Sequence, residues 1–208
     1  LIAVPQLEVH RPPVSTALLA GIMHGAGYKV SCLDLNIQMY NDWGENEYYS
    51  YVDVWEKTRE PTDDEIKNIR DFIDENLLPH CDADTRVLIS VFTGNSQLFT
   101  KYSCEQILKK YPKCEIVLGG MGCAKGFGTY MLDSKLCQHV IYGEGEQALL
   151  QLLQGNTNFA GIDNESTQIQ VNDLNTENFP DYSDVNFDKY DYLYSNRREV
   201  NIVGSRGC

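Results

Sequence analysis

Short β-type apolar runs alternate along the chain with segments whose apolar residues recur every three or four positions, the pattern of a parallel sheet covered by helices on both faces. The run at 1–4 predicts a first strand. It leads through a proline-containing loop at 5–13 into a helix over 15–26, with Ser15 as N-cap, Leu18, Leu19, Ile22 and Met23 as the apolar stripe, and Gly27 just past its end. A second strand is predicted at 28–33, ending on Asp34, and the third only at 87–91. The crossover between them therefore carries an insertion at 36–80. Its clearest part is a helix opened by the capping box Thr62-Asp63-Asp64-Glu65, with Ile66, Ile69, Phe72, Ile73 and Leu77 on one face. The stretch 40–55 is dense in Tyr and Trp. It reads as a lid packing a small core of its own or, functionally, as a cover over a flat ligand.

Downstream, a moderately amphipathic helix is expected over 97–111, the fourth strand at 115–118, a short helix at 129–136, the fifth strand at 139–142, and a last helix at 146–153 closed by Gly155. Five strands in βαβ units thus occupy 1–155. From 156 the composition turns to Asn, Asp, Thr and Tyr without a sustained period, so 156–197 reads as an extended linker that wraps or wanders, and β character resumes at 198–203. The chain opens on an apolar run without Met and closes on Cys208, and both ends read as cut.

Composition excludes several classes of function. With 42% hydrophobic and 23% charged residues in 208, the chain is ordinary for one globular α/β domain plus a tail. Its 17 basic against 30 acidic residues give a net charge of −13, which repels phosphate backbones and anionic lipid headgroups. The adjacent basic pairs are Lys109-Lys110 and Arg197-Arg198 alone, so nucleic acid is not expected as a partner. Seven cysteines without a CxxC pair argue for a reducing cytoplasm, with Cys32, Cys81, Cys104, Cys114, Cys123 and Cys137 as small hydrophobes. No apolar run approaches the roughly 18 residues that span a bilayer, so no membrane partner is expected.

Ligands of an open parallel sheet bind outside the carboxyl ends of its strands. Those places hold Gln6 and His10 after strand one, Asp34 after strand two, and Phe92, Thr93, Gly94 and Asn95 after strand three. Gly119, Gly120 and Met121 follow strand four, and Gly143, Glu144, Gly145 and Glu146 follow strand five. Three glycine-rich loops on one edge suggest that a bulky ligand lies across it. There is no GxGxxG after the first strand and no GxxxxGK[ST], so an ordinary dinucleotide or P-loop site is disfavoured.

At these loops the residues resemble the cobalamin-binding domain family, whose pattern is a DxHxxG loop after strand one, SxL on strand three and GG after strand four. Here Ser90-Val91-Phe92 is followed, after 26 residues, by Gly119-Gly120. The resemblance implies a Rossmann-like or flavodoxin-like cobalamin-binding fold in which the Ser90 hydroxyl bonds the nucleotide tail while Gly119 and Gly120 leave room for it. The first loop, Glu8-Val9-His10-Arg11-Pro12-Pro13, keeps the histidine but has Glu for Asp and Pro for Gly. In the family that histidine replaces the lower axial base of cobalt, held by its acidic neighbour through a hydrogen bond that sets its tautomer. The resemblance makes His10 the candidate cobalt ligand, although many radical S-adenosylmethionine members bind cobalamin without it.

Tyr142-Gly143-Glu144-Gly145-Glu146 ahead of an Ala-Leu-Leu helix, then Phe179-Pro180-Asp181-Tyr182 and the closing Gly204-Ser205-Arg206-Gly207-Cys208, are similar to radical S-adenosylmethionine enzymes that carry this domain before a partial β/α barrel. In them Cys208 would be the first ligand of a CxxxCxxC motif. Three thiolates there hold a [4Fe–4S] cluster and leave one iron open to S-adenosylmethionine, which is cleaved reductively to an adenosyl radical. The resemblance thus implies a domain at 1–155 that presents cobalamin to the enzyme's own C-terminal radical domain, which begins at 198–208. The whole enzyme would be a transferase moving a methyl group from methylcobalamin to a small-molecule substrate, with no catalytic residue in this stretch. The alternative is a cobalamin-free module for substrate recognition or domain assembly.

Overall fold

The computed structural model describes residues 1–5, 9–124, 126–167, 179–190 and 200. Five strands, β1 (Ile2–Ala3), β2 (Leu33–Asp34), β3 (Arg86–Ser90), β4 (Glu115–Gly119) and β5 (His139–Ile141), make one all-parallel sheet in the order β2-β1-β3-β4-β5. This is the flavodoxin-like, doubly wound order, with the direction of winding reversing between β1 and β3. The expected α/β fold class, with helices on both faces, is what the chain adopts.

Side-chain alternation decides which helix covers which face. Val87, Ile89, Ile116, Leu118 and Val140 point into a large core shared with α2 (Leu35–Trp43), α3 (Glu45–Ser50), α4 (Val52–Trp55), α5 (Asp63–Asn76), α6 (Gln97–Lys110) and α7 (Phe127–Asp133). Leu88, Val117 and Ile141 point the other way, toward α1 (Val14–Gly25) and α8 (Gly145–Leu153). The capping box of α5 forms as its sequence demands: the Thr62 hydroxyl accepts from the Glu65 amide, and the Glu65 carboxylate accepts from the Thr62 amide at 2.8 Å. Ile69, Phe72 and Ile73 are the face it buries.

Several expectations change. The aromatic stretch 40–55 does not pack a core of its own: Tyr48, Tyr51 and Trp55 are buried in the main core, Tyr51 stacked on Trp55 at 5.7 Å and Trp55 meeting Phe99 of α6 at 6.4 Å. Helices of four to nine residues cannot enclose rings by themselves, so these pack on α5 and α6, through Phe72 and Phe99. The second strand, expected over 28–33, is formed at Leu33–Asp34, in register with Ile2 and Ala3, and the Leu33 amide donates to the Leu1 carbonyl at 2.8 Å. Asp34 then caps α2, accepting from the amides of Asn36 at 3.0 Å and Ile37 at 3.1 Å. In α1 the N-cap is Pro13, and Ser15 falls in the first turn. The buried stripe of α1 is Thr16, Ala17, Ala20, Ile22 and Met23, with Leu18 and Leu19 half-buried.

The linker wraps. At the β5 edge, Ile162 forms an antiparallel bridge to Ile141, and the Asp163 carboxylate accepts from the Val140 amide at 2.7 Å. At the β2 edge, the Asp184 carboxylate accepts from the Cys32 amide at 2.8 Å and Tyr190 donates to Asp34 at 2.7 Å. Between these edges, residues 179–190 cross α1: the Asp181 amide donates to the Ala17 carbonyl at 2.8 Å, and His24 meets the Asp181 carboxylate at 2.6 Å. A Cβ on Gly21 would stand 2.1 Å from the Phe179 carbonyl oxygen, so α1 needs glycine where the strap passes. Both open edges of the sheet are thereby covered, which removes them as templates for strand pairing with other chains. The strand expected at 198–203 lies, but for Val200, outside the described residues.

Candidate functional site

The carboxyl ends of β3, β4 and β5 frame a cavity of about 280 Å³, walled by the first turns of α1 and by the start of α8. Most of its wall is apolar, including Val14, Leu19, Leu88, Val117, Ile141 and Leu149. Ligand sites for whole drug-sized molecules run from about 300 to 1,000 Å³, so this one suits a single flat ring system with the rest of a larger ligand outside. Among the described residues no lysine, arginine or histidine side chain lines it.

Ser90 and Gly119, chosen in the sequence for their spacing, are direct partners in the β3–β4 register. Ser90 ends its strand on the same side as Leu88, and Gly119 on the same side as Val117, so both face the α1–α8 layer and line the cavity. The two glycines after β4 do different work. Gly120 has φ +100°, and a Cβ there would lie 2.5 Å from the Val91 carbonyl oxygen, so the turn itself requires glycine. A Cβ on Gly119 would meet only Ile141 atoms at 3.7 and 3.8 Å, ordinary contacts. Nothing in the polypeptide demands glycine at 119; its missing side chain leaves open space in the cavity. The same holds for Gly145, whose Cβ would meet Ile141 and Leu19 at 3.9 Å.

Gly143, Glu144 and Glu146 complete the rim on the β5 side. Glu146, in the first turn of α8, is only 6% exposed. A carboxylate in that turn is favoured by the helix dipole, and from there it borders the cavity. Ser15, expected as a helix cap, instead sets its hydroxyl oxygen 3.3 Å from that of Ser90, both half-buried and both lining the cavity. Helical periodicity placed Ser15 at the start of α1 but carried no sign of the strand it would face.

Other expected site residues lie elsewhere. Phe92 and Met121 do not line the cavity; they follow its lining residues Ser90 and Gly120 in the chain and are 45% and 73% exposed. Thr93, Gly94 and Asn95 belong to the turn that leads into α6, stitched to the next loop by the Gly122 amide donating to the Val91 carbonyl at 2.9 Å. Asp34 serves α2 and the strap; burial pushes its carboxyl up, against the hydrogen bonds from Tyr190 and the two amides that hold it down. His10 is half-buried, in a loop anchored by buried Val9 and Pro12, and does not line the cavity. Gln6 and Cys208 lie outside the described residues. Among the described residues no group of three or more His, Cys, Asp or Glu is placed to hold a metal ion, and no helix is long and apolar enough to cross a membrane.

A larger cavity of about 620 Å³ opens at the amino ends of the strands. Arg86 pairs with Glu115 there at 2.7 Å, and the amino edge is not where open α/β sheets bind ligands. The carboxyl-edge cavity is therefore the candidate site. No family model, curated protein or solved structure matches this chain.

Proposed function

We propose that the chain is the cobalamin-binding domain of a radical S-adenosylmethionine enzyme, one that moves a methyl group from methylcobalamin with the help of an adenosyl radical. The observation that carries the reading is the convergence of Ser90, Gly119 and the 143–146 loop on one apolar cavity at the carboxyl edge. The residues present fit a nucleotide tail: a slot for one flat ring, a hydroxyl at its floor, and a glycine whose absent side chain the protein's own packing does not require. Phe92 and Met121 would lie beneath the edge of the macrocycle, covering apolar ring with apolar side chain. When bound, cobalamin supplies a cobalt-held methyl group for transfer. This chain's part is to seat it, to keep water from the tail, and to leave its upper face toward the radical domain. Cys208 would begin the ligand set of that domain's [4Fe–4S] cluster.

The alternative, a cobalamin-free module for substrate recognition or domain assembly, draws support from Pro13, which caps α1 where the family pattern has glycine. Incubating the purified chain with hydroxocobalamin, removing free ligand by gel filtration and recording the visible spectrum separates the two. Retained corrin absorbance at one equivalent is expected; a colourless protein fraction would falsify cobalamin binding.

A further inference from the structure

Ser15 is the cavity residue for which neither the fold nor the family pattern has a use. It sits in the first turn of α1, where many residues serve equally well, yet its hydroxyl reaches across to Ser90 of β3 at 3.3 Å. Among the described residues these are the two hydroxyls of the wall, which is otherwise largely aliphatic apart from Glu144 and Glu146 at its β5 side. A serine hydroxyl carries one proton and two lone pairs, so in a contact between two of them one proton bridges the oxygens and the other is left over. Which oxygen keeps the spare proton depends on what else is present. A ring nitrogen or carbonyl arriving at Ser90 takes the Ser90 proton, and Ser15 must then be the donor within the pair. Chained hydrogen bonds of this kind strengthen one another when water is excluded.

We infer that Ser15 is a positioning residue for the ligand: it donates to Ser90 and thereby turns the Ser90 proton into the cavity, toward an acceptor atom on the bound ring. The inference rests on the cavity being the seat of a cofactor's nucleotide tail, and it adds that the tail must offer an acceptor and not a donor at that point. A ligand that binds through the macrocycle alone is indifferent to Ser15.

The test compares two corrinoids on the full chain by spectroscopic titration, hydroxocobalamin with its tail and cobinamide without it. Ser15→Ala is expected to weaken hydroxocobalamin by about threefold to tenfold, the worth of one neutral hydrogen bond, and to leave cobinamide unchanged. Ser15→Thr keeps the hydroxyl and is expected to restore the affinity. The double variant Ser15→Ala/Ser90→Ala should lose no more than Ser90→Ala alone, because the two act in series. Alanine is a strong helix former, so Ser15→Ala should keep its fold, checked by circular dichroism. Equal losses for both corrinoids, no loss for either, or failure of Thr to restore binding overturns the role of Ser15 while cobalamin binding stands. Wild-type protein that takes up neither corrinoid overturns the reading of the cavity, and this inference with it.

Discussion

The two faces of the sheet are filled to different degrees. Beneath α2 to α7, aromatic rings and aliphatic side chains interlock: Tyr48, Trp55, Ile69, Ile73 and Phe99 are each almost wholly buried. Beneath α1 and α8 lies a smaller cluster around Met23, Leu88, Val117, Ile141, Leu149 and Leu152, and toward the carboxyl edge it gives way to the cavity. One sheet thus carries most of its packing on one side and its binding space on the other. Stability and recognition become separable, since a residue that fills the dense face need not touch the ligand, and a residue that shapes the cavity need not hold the fold.

Trp55→Ala should break the dense face hardest. Removing a ring 1% exposed and packed on Tyr51 and Phe99 is expected to cost about 3–5 kcal/mol, read as a lowered urea midpoint. A smaller loss is expected from Glu65→Gln on the same side. Hydrogen bonds from the Arg59 guanidinium at 2.6 and 2.8 Å, helped by Thr62, hold the Glu65 carboxyl down at about 2 from an ordinary 4.5. A carboxyl with a depressed folded value stabilises the protein above its unfolded value and loses that contribution as pH falls. The gap in urea midpoint between wild type and Glu65→Gln should therefore be full at neutral pH and shrink between about 4.5 and 2; a gap that does not change with pH would remove the ion pair as its cause. On the open face, Gly119→Ala should leave stability unchanged or raise it by up to about 1 kcal/mol, as expected for glycine in a strand. Gly119→Val should fold equally well yet retain no hydroxocobalamin after gel filtration. A large loss of stability in either Gly119 variant would show that the two faces are not separable after all.

Period and turn chemistry made the scaffold legible: the alternation of Val87, Leu88, Ile89 and Ser90 already divides the two layers, and Thr62 with Glu65 announces α5 from four residues. Ser90 and Gly119 were found by spacing, and their register is the reason the spacing works. What stayed hidden depended on partners distant in sequence. A β-type run at 28–33 becomes a ladder at Leu33–Asp34, where β1 stands beside it, and local preference does not encode that neighbour. The rings of 40–55 read as a lid because nothing in their own pattern names the helices α5 and α6 that receive them. Asp34 looked like a ligand contact because a carboxylate after a strand can either meet a ligand or cap the next helix, and α2 begins at once. Ser15 faced the opposite ambiguity.

The strap has a mechanical consequence. Its attachments follow one another along the chain, Tyr190 to Asp34, the Lys189 carbonyl to Asn41 at 3.0 Å, Asp184 to the Cys32 amide, and Asp181 to Ala17 and His24. A pull transmitted through the residues after 190 meets them one at a time, as in opening a zip, and not all at once as in shear. α1, which walls the cavity, is the last element to feel such a load.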